Sequence, residues 1–276
     1  MAAAAHVGGG RKEAEVRLRL TAEQKAATRR RFEDHRRAWQ RKPALRALYT
    51  DWYGQVRARL PSRDLGPWVE LGSGPGFARD LIPGIILSDV VAAPWHDQEA
   101  AAEWLPFADG SLGALVLFDV LHHLASPAAF LAEATRVLRV GGRIVLCEPY
   151  VSPLSYPVYK LLHDEKLDLW ADPLVAADAG EVGGRDPFDA NQAIPTLLFC
   201  RPRRRAELER RYPRLSVTRI EHLAGPSYPA SGGFSGADIL PAPLWSALRA
   251  VEGTLPPAVF RFIGFRILIT VERCQG

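Results

Sequence analysis

The chain has 276 residues, a net charge of +4, 47% hydrophobic and 24% charged residues. That make-up belongs to an ordinary globular protein with enough apolar content for a sizeable core, and no apolar run reaches the roughly 18 residues of a membrane helix. The three cysteines, Cys147, Cys200 and Cys274, form no CxxC pair, and their odd number argues against a disulfide framework.

The charge is uneven. Residues 11–46 hold thirteen Lys/Arg against five Asp/Glu, so the rest of the chain is net acidic. A second basic run, "RPRRRAELERRYPR", covers residues 201–214. Such runs read either as nucleic-acid contacts or as solvated helix faces. The first twenty residues place an Ala/Gly stretch before their charges, the reverse of a secretory leader. They read as a disordered tail, and a cytoplasmic protein is expected.

Helical periodicity starts at Thr21, where Thr21 and Gln24 have the spacing of a capping box. Pro43 breaks the run, and residues 44–60 place Leu45, Leu48, Trp52, Val56 and Leu60 on one helical face. Residues 21–64 thus read as an N-terminal helical cap. Beyond the turn cluster at 61–67 the pattern changes to short strands alternating with helices. Strands are expected at 68–72, 84–90, 113–120 and 143–149. Helices are expected at 77–82 and 126–142, the latter capped by Ser126 and ended by Gly141-Gly142. Strands return at 215–223 and 260–273. This order predicts an α/β, doubly wound, mostly parallel sheet with helices on both faces. Residues 65–276 then form one domain, with irregular insertions at about 151–213 and 224–257.

The segment "VELGSGPGF" (69–77) poses the functional question, because a glycine-rich turn after a strand serves several ligands. A dinucleotide fingerprint needs a third glycine where Phe77 stands, which disfavours a nicotinamide-linked reductase. A phosphate-binding P-loop needs a lysine that is absent. Glu70 would repel a pyrophosphate and suits a ligand carrying an amine or sulfonium.

Together, "ELGSGPG" (70–76), Asp89 closing "IILSDV", "LPFADGSLGALVLFDVLHHL" (105–124) and "RVLRVGGRIVLCEP" (136–149) resemble the class I S-adenosylmethionine-dependent methyltransferases. The resemblance spans about residues 68–150. It implies a Rossmann-like, seven-stranded sheet whose last strand is antiparallel, and S-adenosyl-L-methionine as cofactor, leaving as S-adenosyl-L-homocysteine. It implies a cofactor site built from Glu70, Gly72, Ser73, Gly74, Gly76, Asp89, Val90, Ala102, Glu103 and Phe118, with Tyr49 reaching in from the helical cap. The glycines let backbone approach the ligand, and a helix starting near Phe77 would offer N–H groups to its carboxylate. Asp89 stands where an acid takes ribose hydroxyls. Ala101 stands where the family often has an acid at the adenine, so that contact is expected from Ala102 or Glu103.

For proton removal from an O or N acceptor the candidates are Asp119, His122 and His123 at the end of the fourth strand. The alternative is that "LHHL" opens a helix that packs beneath the cofactor. Histidine spacing indicates no metal site. The expected function is methyl transfer to an O, N or C atom of a small molecule such as a natural product, lipid-linked or glycan intermediate. An RNA or protein methyltransferase and a non-catalytic binding module are the rival readings.

Overall fold

The computed structural model describes residues 20–163, 165–175 and 186–275. The expected N-terminal tail lies outside these residues, apart from Leu20.

The chain opens with two helices, α1 (Ala22–Arg41) and α2 (Pro43–Arg57). Thr21 and Gln24 form the expected reciprocal capping box. Pro43 supplies the first residue of α2, where its missing N–H costs nothing. Strands β1 (Trp68–Leu71), β2 (Ile86–Asp89), β3 (Gln98–Glu99), β4 (Leu112–Phe118) and β5 (Leu138–Pro149) follow, with α3 (Ala78–Leu81) and α4 (Pro127–Val137) between them. Then come α5 (Ser155–Leu162), α6 (Pro202–Arg211), β6 (Leu215–Leu223), α7 (Ser227–Ala230), α8 (Ala242–Thr254), α9 (Phe260–Ile263) and β7 (Arg266–Arg273).

The strands form one seven-stranded sheet in the order β3-β2-β1-β4-β5-β7-β6. β1, β2, β3, β4 and β5 run parallel, and β7 runs antiparallel to both β5 and β6. This is the predicted doubly wound architecture. Central strand β4 is apolar along its whole length because both faces are covered, and every residue of it is buried. One face packs Leu115, Leu117, Phe130, Leu146 and Ile269. The other packs Val116, Val145 and Leu268 against Leu45, Leu48, Trp52 and Val56 of α2.

Three local expectations differ. Helix α4 ends at Val137 rather than at the Gly141-Gly142 pair, because Leu138 already pairs with Leu112 and starts β5. The start of 260–273 is helical over Phe260–Ile263, and only Arg266 onward is strand. Helix α3 is a single turn, Ala78–Leu81. The N–H groups of Ser73, Gly74 and Gly76 are already bonded to Ser88 O, Asp89 Oδ2 and Ser73 O. These bonds hold the loop in its turn ahead of α3.

Candidate active site

A cavity of about 1320 Å³ lies at the carboxyl ends of the parallel strands. One wall is the β1–α3 loop. There Gly72, Gly74 and Gly76 take φ values of +63°, +46° and +78°, which only glycine adopts without strain. Gly72, Ser73 and Gly74 line the cavity; Gly76 faces away, against the Trp95 ring. Trp95 Nε1 donates to Gly74 O at 2.7 Å, and the His96 ring nitrogen lies 2.8 Å from the same oxygen. Helix α1 holds this loop and the one after β2: Arg36 donates to Pro75 O at 2.8 Å, and Arg29 to Ala92 O at 2.9 Å.

Asp89, at the end of β2, lines the same wall with Val90. It accepts from the N–H groups of Gly74 (2.9 Å) and Val91 (3.0 Å). Burial raises its pKa, while those two hydrogen bonds favour the carboxylate. Glu70 is buried behind the wall and accepts from the Tyr53 hydroxyl at 2.8 Å. Its Oε2 has no hydrogen-bond partner. Burial lifts the Glu70 pKa to about 7. Phe118 stacks on Tyr49 and Tyr53, with centroids 5.1 and 4.5 Å away. Ala102 and Glu103 line the far end, where Glu103 Oε1 accepts from Ala125 N at 3.1 Å. Trp104 is half exposed.

The floor carries two ion-pair systems. Asp119 has φ +58° and pairs with Arg266, and the Tyr49 hydroxyl lies 3.4 Å from its other oxygen. Arg266 is buried beneath the Trp52, Phe118 and Tyr228 rings, at 4.9, 5.0 and 5.6 Å. Beside this pair, His122 Nδ1 lies 2.6 Å from Glu148 Oε2, and its Nε2 lies 3.6 Å from Glu165 Oε2. Burial would lower the His122 pKa, but the Glu148 and Glu165 carboxylates outweigh it and lift the value to about 10. Both carboxylates favour the imidazolium over the neutral acceptor expected of a general base. His123 stands next to it on the cavity wall, with ring centroids 4.2 Å apart.

Residues 69–146 match the family model described as a methyltransferase domain. Over 112 residues the chain is 29% identical to a "Probable S-adenosylmethionine-dependent methyltransferase" of Mycobacterium tuberculosis, covering 35% of this chain and 39% of that one. It is 56% identical over 96 residues to an uncharacterized 37.1 kDa protein of a Streptomyces fradiae transposon, covering 34% and 28% respectively. A solved SAM-dependent methyltransferase of Thermotoga maritima superposes with a TM-score of 0.50 at 14% identity, covering 91% of this chain and all of that one. Over this segment the chain is similar to S-adenosylmethionine-dependent methyltransferases, and it shares their fold.

The chain spans well under half the length of the curated relatives it matches. The cavity brings together Tyr49, Gly72, Ser73, Gly74, Asp89, Val90, Ala102, Glu103, Phe118, Asp119, His122 and His123, and leaves Glu70 and Gly76 behind its wall. Tyr53 and Glu165 line it as well, while sequence reasoning missed Arg31 and Arg266, which also line it, and Glu148 beneath it. Two of these carried a signal. Arg266 stands directly before the mostly apolar run 267–271, and Glu148 is next to last in a strand whose final half is buried; buried charges need partners.

Proposed function

We infer that the protein is a methyltransferase that binds S-adenosyl-L-methionine along the Gly72–Gly74 and Asp89 wall and methylates a small acceptor in the rest of the cavity. The observation that carries this is the size and lining of one continuous space. At about 1320 Å³ it exceeds the about 300–1,000 Å³ of a site for one small ligand, leaving room for an acceptor beside a cofactor.

The residues fit the cofactor. At Gly74 only the Phe32 ring comes within about 3.5 Å of where a Cβ would stand, so ligand atoms can approach the backbone closely. Glu70 Oε2 is a buried acceptor without a partner, placed to balance a cationic amine near the loop. Asp89 keeps lone pairs for hydroxyl groups beyond its two N–H bonds. Arg31 lines the cavity from α1, with its guanidinium 4.0 Å over the Phe188 ring, and offers the cation that a carboxylate needs. When bound, the cofactor supplies a sulfonium methyl group open to in-line attack.

The chain's part is then to place the acceptor and take its proton. Phe118, Tyr49, Tyr159, Tyr228 and Phe234 give the acceptor half apolar walls. Asp119 is bound to Arg266, and the Glu148 and Glu165 carboxylates favour a protonated His122, so the acceptor's proton goes to His123 or to solvent at that corner.

The basic helices do not favour an RNA acceptor. In α1, Arg29 and Arg36 bond backbone carbonyls within the protein, and Arg37 pairs with Asp34 and Glu33. In α6, Arg204 pairs with Asp172 and Glu207.

The test is formation of S-adenosyl-L-homocysteine with panels of apolar alcohols, phenols and amines, run beside RNA at two salt concentrations. Product with a small acceptor at both salts is expected. Methylated RNA with a steep salt dependence would replace this reading.

A further inference from the structure

Residues from three parts of the chain meet at the acceptor end of the cavity. His122 and His123 follow β4, Glu148 ends β5, and Glu165 comes from the insertion after α5. Glu148 is wholly buried and takes no part in lining the cavity. Its Oε1 accepts from the N–H groups of Val120 and Leu121, at 2.9 and 2.8 Å. Its Oε2 faces His122 Nδ1 at 2.6 Å. The ring is thereby fixed with Nδ1–H on Glu148 and Nε2 toward the cavity.

A carboxylate holding one imidazole nitrogen while the other faces an open space is the outer-shell arrangement of metal-ligating histidines. The second histidine and a further carboxylate are in place. His122, His123 and Glu165 each offer one ligand atom, and these atoms lie within 4.8 Å of one another. His122 Nε2 and Glu165 Oε2 are 3.6 Å apart. That is too long for a sound hydrogen bond. It suits two atoms sharing one ion, since bonds of about 2.0–2.2 Å in a tetrahedral shell put ligand atoms roughly 3.3–3.6 Å apart. Glu165 is itself held, with Gln192 Nε2 donating to the same oxygen at 2.9 Å.

We propose that His122, His123 and Glu165 bind one divalent first-row transition cation, with Glu148 orienting His122 from behind. Two nitrogens and one carboxylate oxygen suit zinc, manganese, iron(II) or cobalt rather than magnesium or calcium. The remaining positions on the ion face the cavity. Resting on the methyltransferase reading, the ion's role is to take the acceptor's oxygen there. Its charge lowers the pKa of that hydroxyl, so the proton leaves to solvent and the oxygen is positioned for the methyl group. Histidine spacing did not reveal this site, because two ligands are adjacent and the third lies more than forty residues on.

The test uses the full, untagged chain stripped with chelator and titrated calorimetrically with zinc, manganese and cobalt chlorides separately. No cofactor or acceptor is present, so the result is independent of turnover. One equivalent of at least one ion is expected to bind, at least 30-fold more weakly in both Glu165→Gln and His123→Ala. The cobalt complex should show a visible absorption band that both variants lose. Thermal melting and S-adenosyl-L-homocysteine titration of the variants report that they are folded with an intact cofactor half. Absence of saturable uptake of all three ions, or uptake of equal affinity in both folded variants, would overturn the site. If the ion binds but S-adenosyl-L-homocysteine does not, the cation site stands and the cofactor reading fails.

Discussion

Tyr53 donates its hydroxyl to Glu70 Oε1 at 2.8 Å, while the second oxygen of the same carboxylate has no partner. The pair links α2 to β1 beneath the glycine loop. It also leaves a half-satisfied acid in the core, which is a cost to stability unless a ligand draws on it.

That cost has a pH dependence. Burial lifts the Glu70 pKa from 4.5 to about 7. An acid whose folded pKa is raised binds an extra proton in the folded state between these values, so stability falls as pH rises from 4.5 toward 7 and stays lower above it. Glu70→Gln is therefore expected to raise stability by about 1–3 kcal/mol at pH 8, with little gain at pH 4.5. Chemical unfolding at the two pH values measures this. The ammonium group of the cofactor prefers the ionised acid. Affinity for S-adenosyl-L-homocysteine should rise from pH 6 to pH 8 in the wild type, and should be weaker and flatter in the variant.

Gly72 holds the first turn of the loop against Val120. A Cβ there would lie 2.5 Å from Val120 Cγ2, on a backbone at φ +63°. Gly72→Ala is expected to cost about 2–4 kcal/mol, from overpacking and from the left-handed backbone together. Adding Val120→Ala should recover the packing part only, leaving the backbone cost of about 1 kcal/mol plus the loss of the valine side chain. Full recovery in the double variant would show that the backbone conformation is immaterial.

Arg266 and Asp119 stand in a different relation, a buried cation under three aromatic rings facing a carboxylate at the cavity edge. Asp119→Asn alone strands the buried Arg266 guanidinium and should destabilise the protein by about 3–5 kcal/mol. Pairing it with Arg266→Met should return a large part of that loss, because the uncompensated charge is gone. A double-mutant cycle in denaturant measures the coupling.

The sequence was most legible where structure is local. The Thr21–Gln24 box, the Ser126 cap and the β6 span 215–223 follow from neighbouring residues and appear as read. The Gly141-Gly142 pair misled because a glycine pair signals a turn wherever it falls. Here long-range pairing of Leu138 with Leu112 ends the helix four residues earlier. In the site, the glycine loop and Asp89 were legible because their motif lies in one short stretch. The floor was not. Glu148 lies 26 residues from His122, and Arg266 lies 147 from Asp119, so neither pairing leaves a periodic trace. The protonation of His122 likewise depends on two carboxylates from other elements. Its place at the strand end was legible, but its charge was not.

The central claim is that the Gly72–Gly74 and Asp89 wall binds an adenosyl ligand. It is tested most directly by calorimetric titration of the wild type and Gly74→Arg with S-adenosyl-L-homocysteine, with thermal melting of both. One equivalent bound by the wild type, and none by a variant that still melts cooperatively, is the predicted result. No binding to the wild type up to the solubility of the ligand, or equal binding to the two proteins, would contradict it.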